Sequence, residues 1–185
     1  IYLDTDERRR FAQVSHEYLI EQVQYQRISQ SGPLNLNFNH PVKELIWTSG
    51  NNSDGDSIGI FGHTYNAPGS NMLSREPKSL SGTFQLKLNG HDRFKERDVK
   101  YFTRTQIWQH HTGYGSTINA DAIAVYSFAL KPEEHQPSGT CNFSRIDNAQ
   151  LTASNKSSDD SYNVYAVNYN VLRIMSGMGG LAYSN

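Results

Sequence analysis

A single cysteine, Cys141, is all that 185 residues contain, so no disulfide can close within the chain. The fold takes no cross-link from an oxidising compartment, and folding in a reducing intracellular setting is the expectation. A basic excess is also missing. Seventeen Lys and Arg stand against 18 Asp and Glu, giving a formal net charge of −1 and a sequence pI of about 6.7. A dedicated nucleic-acid binder would show a basic patch or a high pI, so no direct nucleic-acid contact is expected. Apolar runs extend only a few residues and mean hydropathy is −0.66. A membrane-spanning helix needs roughly 20 apolar residues, so no membrane span is expected either. There is no internal repeat, no low-complexity tract, no initiating Met before Ile1 and no leader. The expectation is a piece of a longer product.

What is present favours strands. Aromatic residues make up 11%, with eleven Tyr and eight Phe, types that suit a pleated, half-buried surface. The length suits one domain over residues 1–185, with residues 1–30 as an arm carrying a short helix. The most informative stretch covers residues 34–47. Leu34, Leu36 and Phe38 alternate with Asn35, Asn37 and Asn39, the period of a strand with one buried face. His40-Pro41 then interrupts, since proline has no N–H for a ladder and belongs at an edge, a bulge or a strand start. Val42 and Leu45-Ile46-Trp47 follow, apolar on both faces as in a strand covered on both sides. Lys43 and Glu44 read as a strand-end or interface pair.

Elsewhere, Asp4 with Asp6 and Glu7 ahead of Arg8–Arg10 predicts a short helix whose charges match its dipole. Residues 18–28 favour a strand, and Ser31-Gly32-Pro33 a turn. Residues 48–57 and 67–73 are loops by composition, with a short glycine-interrupted piece between them. Residues 79–89 alternate cleanly and end on Asn89-Gly90, a hairpin signal. Residues 92–111 lack Gly and Pro and set Phe94, Tyr101, Phe102, Thr105 and Trp108 roughly on one stripe, predicting a helix or a helical excursion between strands. Residues 123–130 predict a fully buried strand, 131–140 a connection, 141–151 a strand with a polar face, 153–161 a polar loop, and 164–174 a closing strand. The glycine-rich stretch 175–183 permits a tight turn. About seven or eight strands with long loops predict an all-β, eight-stranded antiparallel jelly-roll sandwich with one or two short helices in the connections. The immunoglobulin alternative would need a Cys…Trp…Cys pattern that one cysteine cannot supply.

No catalytic, cofactor or metal constellation emerges. His16-Glu17 starts like H-E-x-x-H, but Ile20 stands where the second His should be. His110-His111 are adjacent, and neighbours do not face one ligand; no H-x-H occurs. The segment Asn52–Asp56 resembles the start of a calcium loop but lacks the Gly and Glu required at Ser57 and His63. Gly177–Gly180 is followed by no Lys-Ser/Thr, so it is no phosphate loop. Cys141 has no basic neighbour in sequence and reads as a small apolar side chain. Asn51, Asn142 and Asn155 open N-x-S sequons, with conventional glycosylation the lesser reading. This lack of chemistry moves weight from enzyme to structural or binding protein.

Several long stretches resemble the C-terminal half of the major capsid protein of nucleocytoplasmic large DNA viruses. They are LDTDERRRFAQ (3–13), HEYLIEQVQ (16–24), FNHPVKELIW (38–47), NGHDRF (89–94), QHHT (109–112), YSFALKPEEHQPSGTCNFSRIDN (126–148), and residues 164–185 ending in VLRIMSGMGGLAYSN. The resemblance covers essentially the whole chain. It implies the second barrel of a double jelly roll and a structural role without catalysis. Three chains would form a pseudo-hexagonal capsomer that tiles an icosahedral shell. Implied partners are further copies of itself as a homotrimer, neighbouring capsomers and minor capsid proteins; the implied location is the virion, after assembly in the host cytoplasm. His40-Pro41 and residues 131–142 are expected to shape the sandwich and its capsomer contacts. A carbohydrate-binding jelly roll is the runner-up, and a cupin-like enzyme is third.

Overall fold

In the computed structural model, residues 3–28, 32–50, 80–113, 121–154 and 161–184 are described. Helix α1 (Thr5–Gln13) precedes the strands. Asp4 caps it, its side chain accepting from the Thr5 N–H at 2.7 Å, while Glu7 reaches back to the Asp4 N–H at 3.2 Å. This is the reciprocal capping box. Then follow β1 (His16–Ile28), β2 (Leu34–Asn35), β3 (Pro41–Gly50), β4 (Thr83–Leu88), β5 (His91–Asp92) and β6 (Arg97–Asp98). A π-turn (Tyr101–Thr105) runs into α2 (Gln106–His110). The chain continues with β7 (Ile123–Ser127), β8 (Cys141–Asn142), a 3-10 turn (Phe143–Arg145), β9 (Ala149–Ala153), β10 (Ser161–Met175) and β11 (Met178–Leu181).

The strands form two antiparallel sheets. One runs β1-β10-β3-β7, with β11 added to β10 and β8 to β3. The other runs β2-β9-β4-β5, with β6 added to β4. Apart from the β4–β5 hairpin, successive strands of these two paths alternate between sheets, wrapping the chain around the sandwich. That winding is a jelly roll. The described residues hold eleven strands, eight on these two paths and three short ones (β6, β8 and β11) added beside them.

Between the sheets lies an aromatic centre. Trp47 of β3 and Phe84 of β4 are fully buried, as is Phe102 of the π-turn. Ring centroids are 5.4 Å apart for Trp47–Phe84 and 5.1 Å for Trp47–Phe102, within the range where aromatic pairs attract beyond their burial. Leu34, Leu45, Leu86, Leu151 and Val164 complete it. The alternation of Leu34, Leu36 and Phe38 is borne out in burial, but ladder pairing stops at Asn35. Beyond it the sheet edge is replaced by side chains. Gln26 accepts from the Asn37 N–H and donates to the Asn35 carbonyl, and Gln24 accepts from and donates to the Asn39 backbone. Two glutamine amides of β1 thus stand in for a strand's backbone groups and close the gap between the sheets.

Turn chemistry holds where it was predicted. Asn89 and Gly90 both have positive φ, 50° and 80°, and join β4 to β5. That is the hairpin geometry whose twist matches the flanking strands. Ser176 and Gly177, at 52° and 78°, do the same between β10 and β11.

Four expectations are corrected. Residues 92–111 hold a helical excursion between strands and not one helix: β5 and β6 occupy the start, and the helical part runs from Val99 to His110. Phe94, Tyr101 and Phe102 do reach the core, but Trp108 is 74% exposed and the polar Thr103 and Gln106 are buried in its place. The strand over 123–130 stops at Ser127, leaving Leu130 exposed. The strand over 141–151 is broken at Phe143–Arg145, where Asn142 caps a 3-10 turn by accepting from the Ser144 N–H. Thr48–Gly50, expected as loop, continue β3. The calcium-like segment, the piece over 58–66, the loop over 67–73 and the sequons at Asn51 and Asn155 lie outside the described residues.

Candidate assembly surface

The two stretches expected to shape contacts form one corner. His40 takes a left-handed φ of 66°, is buried, and lets Pro41 open β3. Its N–H donates to Ser144 Oγ at 2.8 Å and its carbonyl accepts from the Phe143 N–H at 3.0 Å. Pro41 and Val42 pair with Asn142 and Cys141. Cys141 is half-buried against the core, and burial pushes its thiol pKa up against the opposing effect of Arg93. A thiol so placed is little ionised and a poor nucleophile. Gly139, just upstream, has φ 150°; a Cβ there would sit 2.7 Å from the Phe128 carbonyl oxygen.

Lys43 and Glu44 are not a strand-end pair, and they do not pair with each other. Opposite Val167 and Asn168, β3 carries one extra residue: Val167 faces Glu44 and Asn168 faces Val42, leaving Lys43 bulged. A bulge breaks strict alternation, so two consecutive side chains address the same outer face. Lys43, only 3% exposed, sets its Nζ 2.7 Å from Glu21 Oε1 on β1 and donates to the Pro132 carbonyl at 2.7 Å. It also lies over the Tyr169 ring. Glu44 Oε2 sits 3.0 Å from His111 Nε2 at the end of α2. Neither atom makes a well-angled hydrogen bond to any group, so the two meet as a close charge contact. His111 Nδ1 is 3.1 Å from Glu133 Oε1, and Glu133 also accepts from the Thr112 N–H. The Glu44 carboxylate beside it raises the His111 pKa above 6.5, against the lowering effect of burial and with help from Glu133. The Thr112 hydrogen bonds hold Glu133 below 4.5. Two buried charges thus pin the connection over residues 131–140 to the large sheet. Only the adjacency of Lys43 and Glu44 inside an apolar strand hinted at this; the bulge that unites them leaves no mark in hydrophobic periodicity.

The histidine pairs serve different partners, as their adjacency implied. His110 Nδ1 meets the Leu130 carbonyl, while His16 stacks on Phe11 at 4.4 Å. Glu17 binds Arg173 instead. Among the described residues no group of three or more His, Cys, Asp or Glu could hold a metal ion. A polar surface hollow of about 360 Å³ is lined by Asn35, Asn37, Asp147, Asn148 and Gln150.

The large surface feature is apolar. On β1, Leu19, Val23 and Tyr25 are 53%, 64% and 56% exposed. By register they stand beside Val171, Val167 and Tyr165 of β10, making a stripe across the outer face of the large sheet. At one end β1, β10 and β11 run on past the other strands, and Met175, Met178, Leu181 and Tyr183 are exposed there. Contiguous apolar surface of this kind marks interaction sites.

Residues 7–180 match the family model described as large eukaryotic DNA virus major capsid protein. The chain belongs to that family. It is 52% identical to the major capsid protein of Pyramimonas orientalis virus, covering 100% of this chain and 47% of that protein. To the major capsid protein of Paramecium bursaria Chlorella virus 1 it is 39% identical, over 100% of this chain and 52% of the relative. The chain spans about half the length of the curated relatives it matches. A chain of the PBCV-1 virus capsid superimposes with a TM-score of 0.72 at 36% identity, covering 100% of this chain and 55% of that one. The Faustovirus major capsid protein shares the fold alone, with a TM-score of 0.56 at 14% identity.

Proposed function

We propose that this chain is the second barrel of a double jelly-roll capsid subunit and serves a structural, non-enzymatic role. Three such subunits would form a homotrimeric, pseudo-hexagonal capsomer that tiles an icosahedral shell. The observation that carries this reading is the superposition, at 36% identity, of the whole chain on about half of a PBCV-1 capsid chain. The exposed stripe of Leu19, Val23 and Tyr25 supports it, because a subunit that meets others needs apolar area to bury. The contacts join different patches, as closed rings of head-to-tail neighbours require. Neighbouring capsomers and minor capsid proteins complete the partner set. The location is the virion, after assembly in the host cytoplasm.

Deleting residues 133–139 from the full-length subunit tests the reading at the corner described above. The expected result is a folded subunit that elutes as a monomer on a sizing column. A deletion variant that still elutes as a trimer contradicts the role of this connection. The carbohydrate-binding alternative predicts retention on a glycan array, and no specific observation favours it.

A further inference from the structure

We propose that His111, Glu44 and Glu133 form a pH-responsive latch. It holds residues 133–138 against the large sheet while the imidazole is protonated, and frees them when it is neutral. This goes beyond the capsid reading and stands whether or not the connection meets a partner.

The geometry is a chain of three elements. Glu44 is fixed in β3, His111 ends α2, and Glu133 belongs to the connection; the contacts are 3.0 Å and 3.1 Å. One imidazolium can donate from both ring nitrogens, and so can satisfy both carboxylates at once. A neutral ring has a single N–H and must leave one of them without a donor. Glu44 is 7% exposed, so the carboxylate left behind is the costly one. The neutral ring will keep its N–H on Glu44 and present a lone pair to Glu133. The link that weakens is therefore the one to the exposed Glu133, which the neutral ring leaves held by the Thr112 N–H alone.

The surrounding charge sharpens the response. Glu21 on β1, Lys43 on β3 and Tyr169 on β10 face the same patch, with Lys43 ion-paired to Glu21 at 2.7 Å. Three carboxylates thus share one fixed cation, and protonated His111 is the second. His110 faces the Leu130 carbonyl, Lys131 pairs with Glu134, and His135 is exposed in the connection; none of these reaches Glu44. Lys43 Nζ donates to the Pro132 carbonyl at 2.7 Å, apart from the His111 contacts. Pro132 is therefore the pivot, and Gly139, confined by the Phe128 carbonyl, is the far end. Linkage fixes the sign. A His whose pKa is raised by latching favours the latched form below its free value of 6.5 and loses that advantage as pH rises through the raised value. Each unit of that raise makes the closed-to-open ratio about tenfold larger with the ring charged than with it neutral.

Hydrogen exchange of the full-length subunit, corrected for the intrinsic pH dependence of amide exchange, tests the latch. Peptides covering residues 131–138 should lose protection at least about threefold between pH 6 and pH 9, while β10 peptides hold constant. His111→Gln should abolish that slope, and His110→Gln should leave it intact. Glu133→Gln alters only a surface side chain and so keeps the fold; it should expose the same peptides already at pH 6. A flat profile in the unmodified subunit, or a slope that survives His111→Gln, overturns the proposal. If His111→Gln does not fold, protection at pH 6 unchanged by Glu133→Gln overturns it instead.

Discussion

Strand β10 lives in two environments along one ladder with β1. Its first half, from Ser161 to Asn168, lies between β1 and β3, and its inward side chains Tyr162, Val164 and Ala166 belong to the core. Its last residues lie between β1 and the short β11, where Leu172 and Ile174 are only half-buried and Met175 is exposed. Asn168 and Asn170 separate the halves. Both are buried: Asn168 accepts from Gln24 Nε2, and Asn170 donates to Gln22 Oε1 and the Tyr183 carbonyl. A layer of amides thus caps the core, and a second apolar surface begins beyond it. The ladder continues although the core has ended. Backbone pairing alone does not require Leu172, Ile174, Met178 and Leu181 to be apolar, which fits the assembly surface proposed above.

The comparison can be broken at its strongest point first. Phe84→Ala, in the aromatic centre, should cost about 3–5 kcal/mol in chemical denaturation, whereas Leu172→Ala beyond the amide layer should cost about 1 kcal/mol. Equal losses would mean that the overhang is core after all. Lys43→Ala should come next, at about 2–3 kcal/mol. That is below the roughly 3–5 kcal/mol for breaking a fully buried ion pair, because Glu21 keeps 35% side-chain exposure. Gly139→Ala should cost about 1–3 kcal/mol, since its φ of 150° and the Phe128 carbonyl both oppose a Cβ. Stability should also follow pH through the latch. The Glu133 contribution is present above 4.5 and lost as pH falls through its lowered value, while the His111 contribution is present below 6.5 and lost as pH rises through its raised value. The cluster should therefore contribute most between 4.5 and 6.5, and thermal melts of His111→Gln against the unmodified chain should differ most in that window. The smallest effect on folding is expected at the surface stripe: Val23→Lys should change stability by about 0.5 kcal/mol or less.

Much of the fold was legible because it rests on local rules. The capping box at Asp4 and Glu7, the positive-φ pair Asn89-Gly90, the alternation through Leu34–Phe38 and the proline opening β3 each follow from a few neighbouring residues. Even the burial of β3 on both faces was readable in Val42 and Leu45-Ile46-Trp47. The misses arose where tertiary contacts decided. Residues 92–98 lack Gly and Pro and so resemble helix, yet they pair with β4, which supplies open backbone groups. Trp108 fits a helical stripe by spacing, but the turn before it is a π-turn, and the extra residue rotates Thr103 and Gln106 inward instead. Phe143–Arg145 breaks a polar-faced strand because Asn142 satisfies the Ser144 N–H locally. The surface could not be read at all. Val23 and Val164 look alike in sequence, and only the sheet order makes one an edge residue and the other core. The contacts of Lys43 and Glu44 were hidden for the same reason, since their partners Glu21 and His111, and Glu133 beyond, lie far away along the chain.

The apolar stripe and overhang are proposed as surfaces for assembly and not for folding. Sedimentation of the full-length subunit carrying Val23→Lys and Met178→Lys together tests it most directly. The account predicts a subunit that melts within a few degrees of the unmodified protein but sediments as a monomer. A double variant that still sediments as a trimer would contradict it.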